Sequence, residues 1–254
     1  MVEATARMYP HFLVENNKKP NRFYAFPLIG LMTRVVFLVP HFLECIILAI
    51  VNLLLLFINW FVVLFTGKYW NPAYTMFVKT MQFSTKISLF LYGITDKYPT
   101  FGLNTNNLFT LSIPKPEHPK RWLAIPFIGI FVRFFLLLPY FIFAEVLGRG
   151  SGVGMAISWF TVLFKGKLPE SIYEFEKDAL RVGLATQCYM LGLSDKYPSF
   201  EISMNHQNAK IGLLIVGAML TAWGMSSNAA EHDTTYQESS SYQYNQQPGY
   251  MNSY

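Results

Sequence analysis

The chain contains two copies of one segment, and the second copy follows the first at a fixed distance of 99 positions. The run Trp60–Lys68 returns 99 positions later as Trp159–Lys167, and the motif Asp-Lys-Tyr-Pro at 96–99 returns at 195–198. No gap is needed between the two matches. Self-similarity at one fixed period indicates that each copy forms the same structural unit. We therefore expect two similar units in tandem.

Each copy contains a stretch that is too apolar for an ordinary soluble helix. Phe42–Phe65 holds a single charged residue, Glu44, in 24 residues. As a helix that rises about 1.5 Å per residue, it would measure about 36 Å, enough to cross a hydrocarbon core of about 30 Å. The whole chain is 52% hydrophobic and only 14% charged, whereas soluble domains carry about 25% charged residues. The sequence predicts an integral membrane protein.

Within each repeat we expect a mainly α fold with two helices. The first is long, apolar and kinked or broken at Pro40 or Pro139, because proline disrupts a helix interior. In the second copy the glycine-rich run Gly148–Gly154 is expected to break or bend it further. The second helix is amphipathic, with Lys79, Gln82 and Lys86 on one face. We interpret that face as facing solvent or headgroups, with a conducting path as the alternative.

Short segments near 12–14, 108–113 and 200–204 alternate apolar and polar residues, which predicts strands that pair at one membrane face. That placement requires an even number of crossings in each repeat and parallel repeats. The predicted units are a first membrane repeat (1–103), a second membrane repeat (104–205), a C-terminal transmembrane helix (206–226) and a disordered Ser/Gln/Tyr-rich tail (227–254). Lysine and arginine near the strand segments place that face, and the N-terminus, in the cytoplasm.

Polar side chains inside the apolar segments are the candidates for function, because ionisable groups at membrane depth are costly and usually have a role. His41 and Glu44 are three residues apart on one helical face, and could bind a metal, relay protons or simply be satisfied near the interface. The two arginines are expected to reach the headgroups, and the two asparagines to hold helices together. The candidates are Arg34, His41, Glu44, Asn52, Asn59, Arg133 and Glu145.

A second set of residues is best explained structurally. The repeated turn and loop motifs contain an aspartate that can cap backbone donors, a tyrosine suited to the interface and a proline that ends a helix. They are Gly67, Lys68, Asp96, Lys97, Tyr98, Pro99, Gly166, Lys167, Asp195, Lys196, Tyr197 and Pro198. The C-terminal helix offers a small-residue face for another helix, or is a lone anchor; the face is Gly217, Ala218, Thr221 and Ala222.

No catalytic motif emerges from the sequence. There is no nucleophile elbow, paired zinc histidines, dinucleotide glycine fingerprint or Walker sequence. Cys45 and Cys188 do not occupy matching repeat positions, which argues against a disulfide framework or thiolate site. We expect no metal, no cofactor and no nucleic-acid partner, and we expect lipid and other membrane proteins, or a second copy, as the partners.

The ordered motifs resemble those of a known family. Arg34, Pro40-His41, Phe65–Lys68 and Asp96–Phe101 are similar to the Arg, Pro-His, Phe-Thr-Gly-Arg/Lys and Asp-x-Tyr-Pro-Pro-Phe series of small, mostly bacterial membrane proteins defined by a domain of unknown function. The second copy departs from the pattern at Tyr140 and Lys165. The resemblance implies the bacterial inner membrane and tandem use of the unit, and it carries no activity to transfer.

Three hypotheses for the function remain open. The first is a non-enzymatic accessory or scaffold subunit that packs against itself or a larger membrane complex, because no catalytic constellation is found. The second is a small solute or ion channel or transporter, because charged residues lie within or beside apolar segments. The third is a lipid-modifying enzyme, which is supported only by the aromatic and basic residues expected at the membrane interface.

Overall fold

The structure is a computed structural model, and it describes residues 9–14, 19–103, 108–203 and 205–245, with side chains described as far as Ser227. A short 3-10 helix, Arg22–Ala25 or Arg121–Ala124, precedes the long helix of each repeat. The other elements, in chain order, are β1 (His11–Val14), α1 (Ile29–Thr66), α2 (Asn71–Leu91), β2 (Phe109–Ser112), α3 (Ile128–Lys165), α4 (Glu170–Met190) and α5 (Gln207–Asn245).

The two repeats have the same architecture, as predicted. The long helices α1 and α3 each have 38 residues, and the second helices α2 and α4 each have 21. Among the residues that the structure describes, three helical stretches are long and apolar enough to cross a membrane: α1, α3 and Gln207–Ser227 of α5. The chain is therefore a mainly α-helical membrane protein. The segment predicted as a disordered tail, 227–254, begins within α5, which continues to Asn245. Residues 246–254 lie outside the described range.

Of the predicted alternatives, a kink or a break, the break does not occur in either long helix. Helix α1 continues through Pro40, and α3 continues through Pro139 and Gly148–Gly154. The glycines of α3 have another use, because α5 packs closely on this part of the helix. A Cβ atom at Gly150 would lie 2.8 Å from the backbone oxygen of Leu213 in α5. The absence of a side chain at Gly150 therefore lets α5 approach α3 closely.

Both long helices end at the predicted Gly-Lys turns. Gly67 and Gly166 adopt left-handed conformations, with φ of 70° and 68°, and their N–H groups close the last helical turns on Val63 and Val162. Glycine suits this C-terminal position because it has no Cβ to clash there. The chain then reverses direction into α2 or α4, so each repeat is a helical hairpin.

The strands form a two-stranded antiparallel sheet in which Phe12 lies opposite Leu111, its own counterpart 99 positions later. A residue paired with its own repeat equivalent marks a pseudo-two-fold axis between the strands. The third predicted strand is wrong, since 201–203 form no strand and residue 204 lies outside the described residues. Ser203 instead donates its N–H and hydroxyl hydrogen bonds to Asp178.

Contacts between the repeats are reciprocal. Arg121, at the start of the second repeat, lies against Gly67 at the end of α1, and Arg22 lies against Gly166 at the end of α3. Each long helix therefore begins beside the end of the other, and α1 and α3 run in opposite directions. The antiparallel course of α1 and α3 was not foreseen from the sequence, whose predicted parallel repeats describe the relation of the two copies to the membrane.

The close contact of α5 with α3 gives a test of the packing. A Cβ atom at Gly217 would lie 2.2 Å from the backbone oxygen of Val146, whereas one at Gly212 would meet no atom within 4 Å. We expect Gly217→Ala to lower the melting temperature in detergent by several degrees, because overpacking costs about 1–3 kcal/mol. Gly212→Ala, the matched control, should leave it unchanged or raise it, since alanine favours a helix. Equal shifts in both variants would contradict this packing.

Candidate functional site

The motif arginine of each repeat is buried and paired inside the protein. Arg34 is 5% exposed, and its guanidinium donates to Asp96 Oδ1 at 2.5 Å and to the backbone oxygens of Thr95 and Phe90. The other Asp96 oxygen accepts the backbone N–H of Asn21 at 2.6 Å. One arginine thus joins the start of α1, the end of α2 and the segment that precedes the hairpin.

The second repeat builds the same cluster. Arg133 is 5% exposed, pairs with Asp195 and donates to the backbone oxygens of Tyr189 and Ser194, while Lys120 N donates to Asp195 at 2.7 Å. The expectation that these arginines reach the headgroups is therefore wrong. Their charge is neutralised inside the protein by an aspartate 62 positions later in each copy. Because the repeat gives every pair of positions the same separation in both copies, the sequence did not single out this pairing.

His41 and Glu44 both hold the loop that follows α2. His41 is fully buried, with Nε2 3.0 Å from the Pro99 oxygen and Nδ1 3.2 Å from the Tyr98 hydroxyl, and its ring stacks on Phe101. Glu44 Oε1 accepts the N–H of Gly102 at 2.7 Å, and its Oε2 is buried without a hydrogen-bond partner among the described residues. In these residues no three His, Cys, Asp or Glu side chains gather as metal ligands.

The polar face of the second helices differs from its predicted orientation. Lys79 is exposed, but Lys86 is 2% exposed, and burial lowers the pKa of Lys86 while nearby Glu44 opposes the shift. Asp178, at the position of Lys79 in the second repeat, is also buried and accepts a 2.5 Å hydrogen bond from Lys210 of α5. This pair, which the sequence reading missed, anchors α5 to α4.

Glu176 is a second group that the sequence reading missed. It is 2% exposed, Ser151 donates to its Oε2, and its Oε1 has no hydrogen-bond partner among the described residues. Burial raises the pKa of Glu176 to about 8, although the Ser151 hydrogen bond opposes the shift. The first repeat has Phe77 at this position, so the departure of one copy from the other was the available signal.

A cavity of about 210 Å³ lies beside this carboxylate, between α2, α3 and α4. Glu176 itself does not line it, but Ser151, which does, donates to Glu176, and the lining residue Tyr92 interacts electrostatically with the same carboxylate. The polar lining residues are Ser84, Thr85, Ser88, Tyr92, Ser151 and Gln187. Hydroxyl and amide groups beside a protonatable carboxyl can bind a small polar solute or a proton.

The remaining candidates lie apart from this cavity. Asn59 accepts the N–H of Trp70 at 3.0 Å, and Asn52 accepts the Thr80 hydroxyl at 3.4 Å, so both connect α1 to the next helix or its start. Glu145 pairs with Arg149 at 2.8 Å on the exposed side of α3.

The small-residue face of α5 is occupied within the chain. Gly217 and Thr221 are buried, and Gly217 lies against α3, whereas Ala218 and Ala222 point outward. In the turn and loop motifs, Lys68, Lys97, Lys167 and Lys196 are exposed.

Comparison with known proteins gives a family but no activity. The family model of a domain of unknown function, DUF4389, matches the chain twice, at residues 29–102 and 128–201. Each match begins at the start of a long helix and ends just after the Asp-Lys-Tyr-Pro motif. The curated proteins and the solved structures gave no significant match.

The buried arginine–aspartate pairs should dominate stability. Removal of one partner from a buried pair costs about 3–5 kcal/mol, because the other charge stays buried and unpaired. We expect Asp96→Asn and Asp195→Asn each to lower the free energy of unfolding in detergent by about 3–5 kcal/mol. The exposed Glu117→Gln is the control and should change it little. If adding Arg34→Gln to Asp96→Asn doubled the loss, the two groups would not be coupled.

Glu176 should make stability fall as pH rises. Its carboxyl holds a proton up to about pH 8 in the folded protein but only to about 4.5 in the unfolded chain. Between these values the folded state binds more protons, so the free energy of unfolding decreases with increasing pH. Thermal unfolding between pH 5 and 9 should show a falling melting temperature for the natural protein and a flatter profile for Glu176→Gln. Parallel profiles would contradict the raised pKa.

Proposed function

This chain belongs to the family defined by the domain of unknown function DUF4389, and on that premise we propose that it is a non-enzymatic membrane component. In this proposal it is an accessory or scaffold subunit that packs laterally against another membrane protein. It resides in the bacterial inner membrane with its N-terminus in the cytoplasm. Support for that placement comes from the basic residues near the strand segments.

The observation that carries the proposal is the internal use of the repeated motif. Arginine and aspartate side chains of the motif contact loop backbone and one another inside each hairpin, and His41 does so in the first. Groups held in this way fix the shape of a unit instead of acting on a substrate. A duplicated, rigid unit with an apolar exterior suits a structural role among other membrane helices.

The surface that would receive a partner follows from the difference between the repeats. Helix α5 covers α3 around Val146 and Gly150, but no helix among the described residues covers the equivalent face of α1. Ile47, Ile50 and Leu54 lie there and are 55%, 57% and 61% exposed. We place the partner's helix on this face of α1. Because the face has branched side chains and no glycine, the partner would sit farther from α1 than α5 sits from α3.

Site-specific photo-crosslinking tests this surface. A photoreactive amino acid at Leu54 should crosslink to a second polypeptide in the native membrane. The same residue at Val153, its counterpart 99 positions later in α3, lines the groove beside Leu220 of α5 and should give only crosslinks within the chain. Adducts to lipid alone at Leu54, together with a monomeric particle in mild detergent, would contradict a scaffold role.

A second candidate function, transport of a small solute or ion, is favoured by Glu176 and its cavity. If the cavity conducts, liposomes that contain the protein should show a proton-coupled flux, and Glu176→Gln should abolish it because the amide cannot titrate. Glu145→Gln, which changes an exposed carboxylate away from the cavity, is the matched control. Flux equal to that of empty liposomes would remove this candidate.

A further inference from the structure

The path of the chain between the repeats restricts how the long helices can lie in a bilayer. Asp96 is fixed beside Arg34 near the beginning of α1, and Lys120 and Arg121 lie beside Asp195 and Gly67 at the opposite end of that helix. Residues 97–120 therefore run from one end of the hairpin to the other. They do so alongside helices that each have 38 residues.

That connecting segment is unsuited to cross a membrane. In its described parts, 97–103 and 108–120, the only regular element is β2, and the segment carries Lys97, Lys115, Glu117 and Lys120. Only helices and closed barrels span a bilayer, because every backbone polar group must be paired there. If α1 stood upright in the bilayer, this segment would have to cross the hydrocarbon core as non-helical chain, with charged residues in the same segment.

The length of the apolar surface gives an independent argument. Exposed apolar side chains run along α1 from Ile29 to Phe65, which are 60% and 76% exposed, and along α3 from Ile128 to Phe164. A helix of 38 residues measures about 57 Å, nearly twice the hydrocarbon thickness of about 30 Å. An upright helix would leave apolar side chains in water at both ends, whereas a helix parallel to the membrane would bury them all.

The orientation of these side chains agrees with a horizontal helix. Buried residues recur every three or four positions at both ends of α1. They include Arg34, Leu38 and His41 near its start and Leu56, Asn59 and Val63 near its end. They form one stripe against the rest of the protein, and the opposite side is apolar throughout. The pseudo-two-fold axis through the sheet then relates α1 to α3 with both apolar sides facing the same way.

We infer that α1 and α3 lie parallel to the membrane in one leaflet, related by a pseudo-two-fold axis along the membrane normal, with their exposed apolar side chains turned toward the acyl-chain region of that leaflet, where a partner's helix would also meet α1. The sheet, α2 and α4 lie on the aqueous side of the two helices. Both ends of each long helix are then on the same side of the bilayer. Upright hairpins would place the Gly-Lys turn and the Asp-Lys-Tyr-Pro loop on opposite sides.

Four exposed lysines allow a direct test in the full chain. Lys68 and Lys97 mark the two ends of the first hairpin, and Lys167 and Lys196 mark those of the second. Each is changed singly to cysteine in a chain in which Cys45 and Cys188 have been replaced by serine, and is treated with a membrane-impermeant maleimide in right-side-out and inside-out vesicles. Labelling after detergent solubilisation shows that each site is reactive.

The inference predicts that all four positions are labelled from one and the same side. Labelling of Lys68→Cys and Lys167→Cys from one side, with Lys97→Cys and Lys196→Cys labelled from the other, would overturn it in favour of parallel spanning hairpins. Labelling of Lys97→Cys and Lys167→Cys from one side, with the other pair opposite, would overturn it in favour of inverted hairpins. None of these outcomes depends on whether a partner protein binds to α1.

Discussion

The buried pair of arginine and aspartate in each repeat is the interaction on which the rest of the structure depends. Arg34 alone joins the first turns of α1 to the last turn of α2 and to the loop beyond it. A guanidinium in an apolar interior is stable only when its charge and donors are matched. Aromatic faces add to this match, since the guanidinium lies 4.5 Å from the ring centre of Tyr24. The guanidinium of Arg34 finds its partners at the end of α2 and in the loop beyond it, so its pairing joins the two helices of the hairpin.

The two closed hairpins pack against each other through matching contacts. Their interface is reciprocal: Arg22 lies on Gly166 and Arg121 lies on Gly67, while Tyr74 donates to Ile113 O and Tyr173 donates to Val14 O. These are the contacts of an isologous dimer joined into one chain. Each arginine also places positive charge at a helix C-terminus, where the helix dipole is negative. The repeats therefore hold each other's ends in place.

Much of this fold could be predicted from sequence, because repeat offset, apolar length and helix-ending glycines are local properties. The tandem hairpins and two of the three strands followed from them. The partners of Arg34 and Lys210 could not be predicted in the same way, since the choice between headgroups and a distant aspartate depends on tertiary contacts. The antiparallel course of α1 and α3 was not predicted for the same reason, because it is set by tertiary contacts such as that of Arg121 with Gly67.

The differences between the two copies carry information that the shared motifs do not. The second copy has Gly150, Glu176 and Asp178 where the first has Val51, Phe77 and Lys79. Gly150 lets the backbone of α5 approach α3 closely, and Asp178 binds Lys210 of α5. The hydrogen bond of Glu176 goes to Ser151 of α3 and not to α5, and its Oε1 has no hydrogen-bond partner among the described residues.

A buried carboxyl without a full set of partners is costly and gains nothing for packing that Phe77 does not provide in the first copy. The two copies therefore divide their tasks. The motif residues they share build the hairpins, the glycines and aspartate of the second copy bind the C-terminal helix, and Glu176 is the residue whose presence the fold does not explain. Any chemistry of this protein is to be sought first at that carboxyl and the cavity beside it.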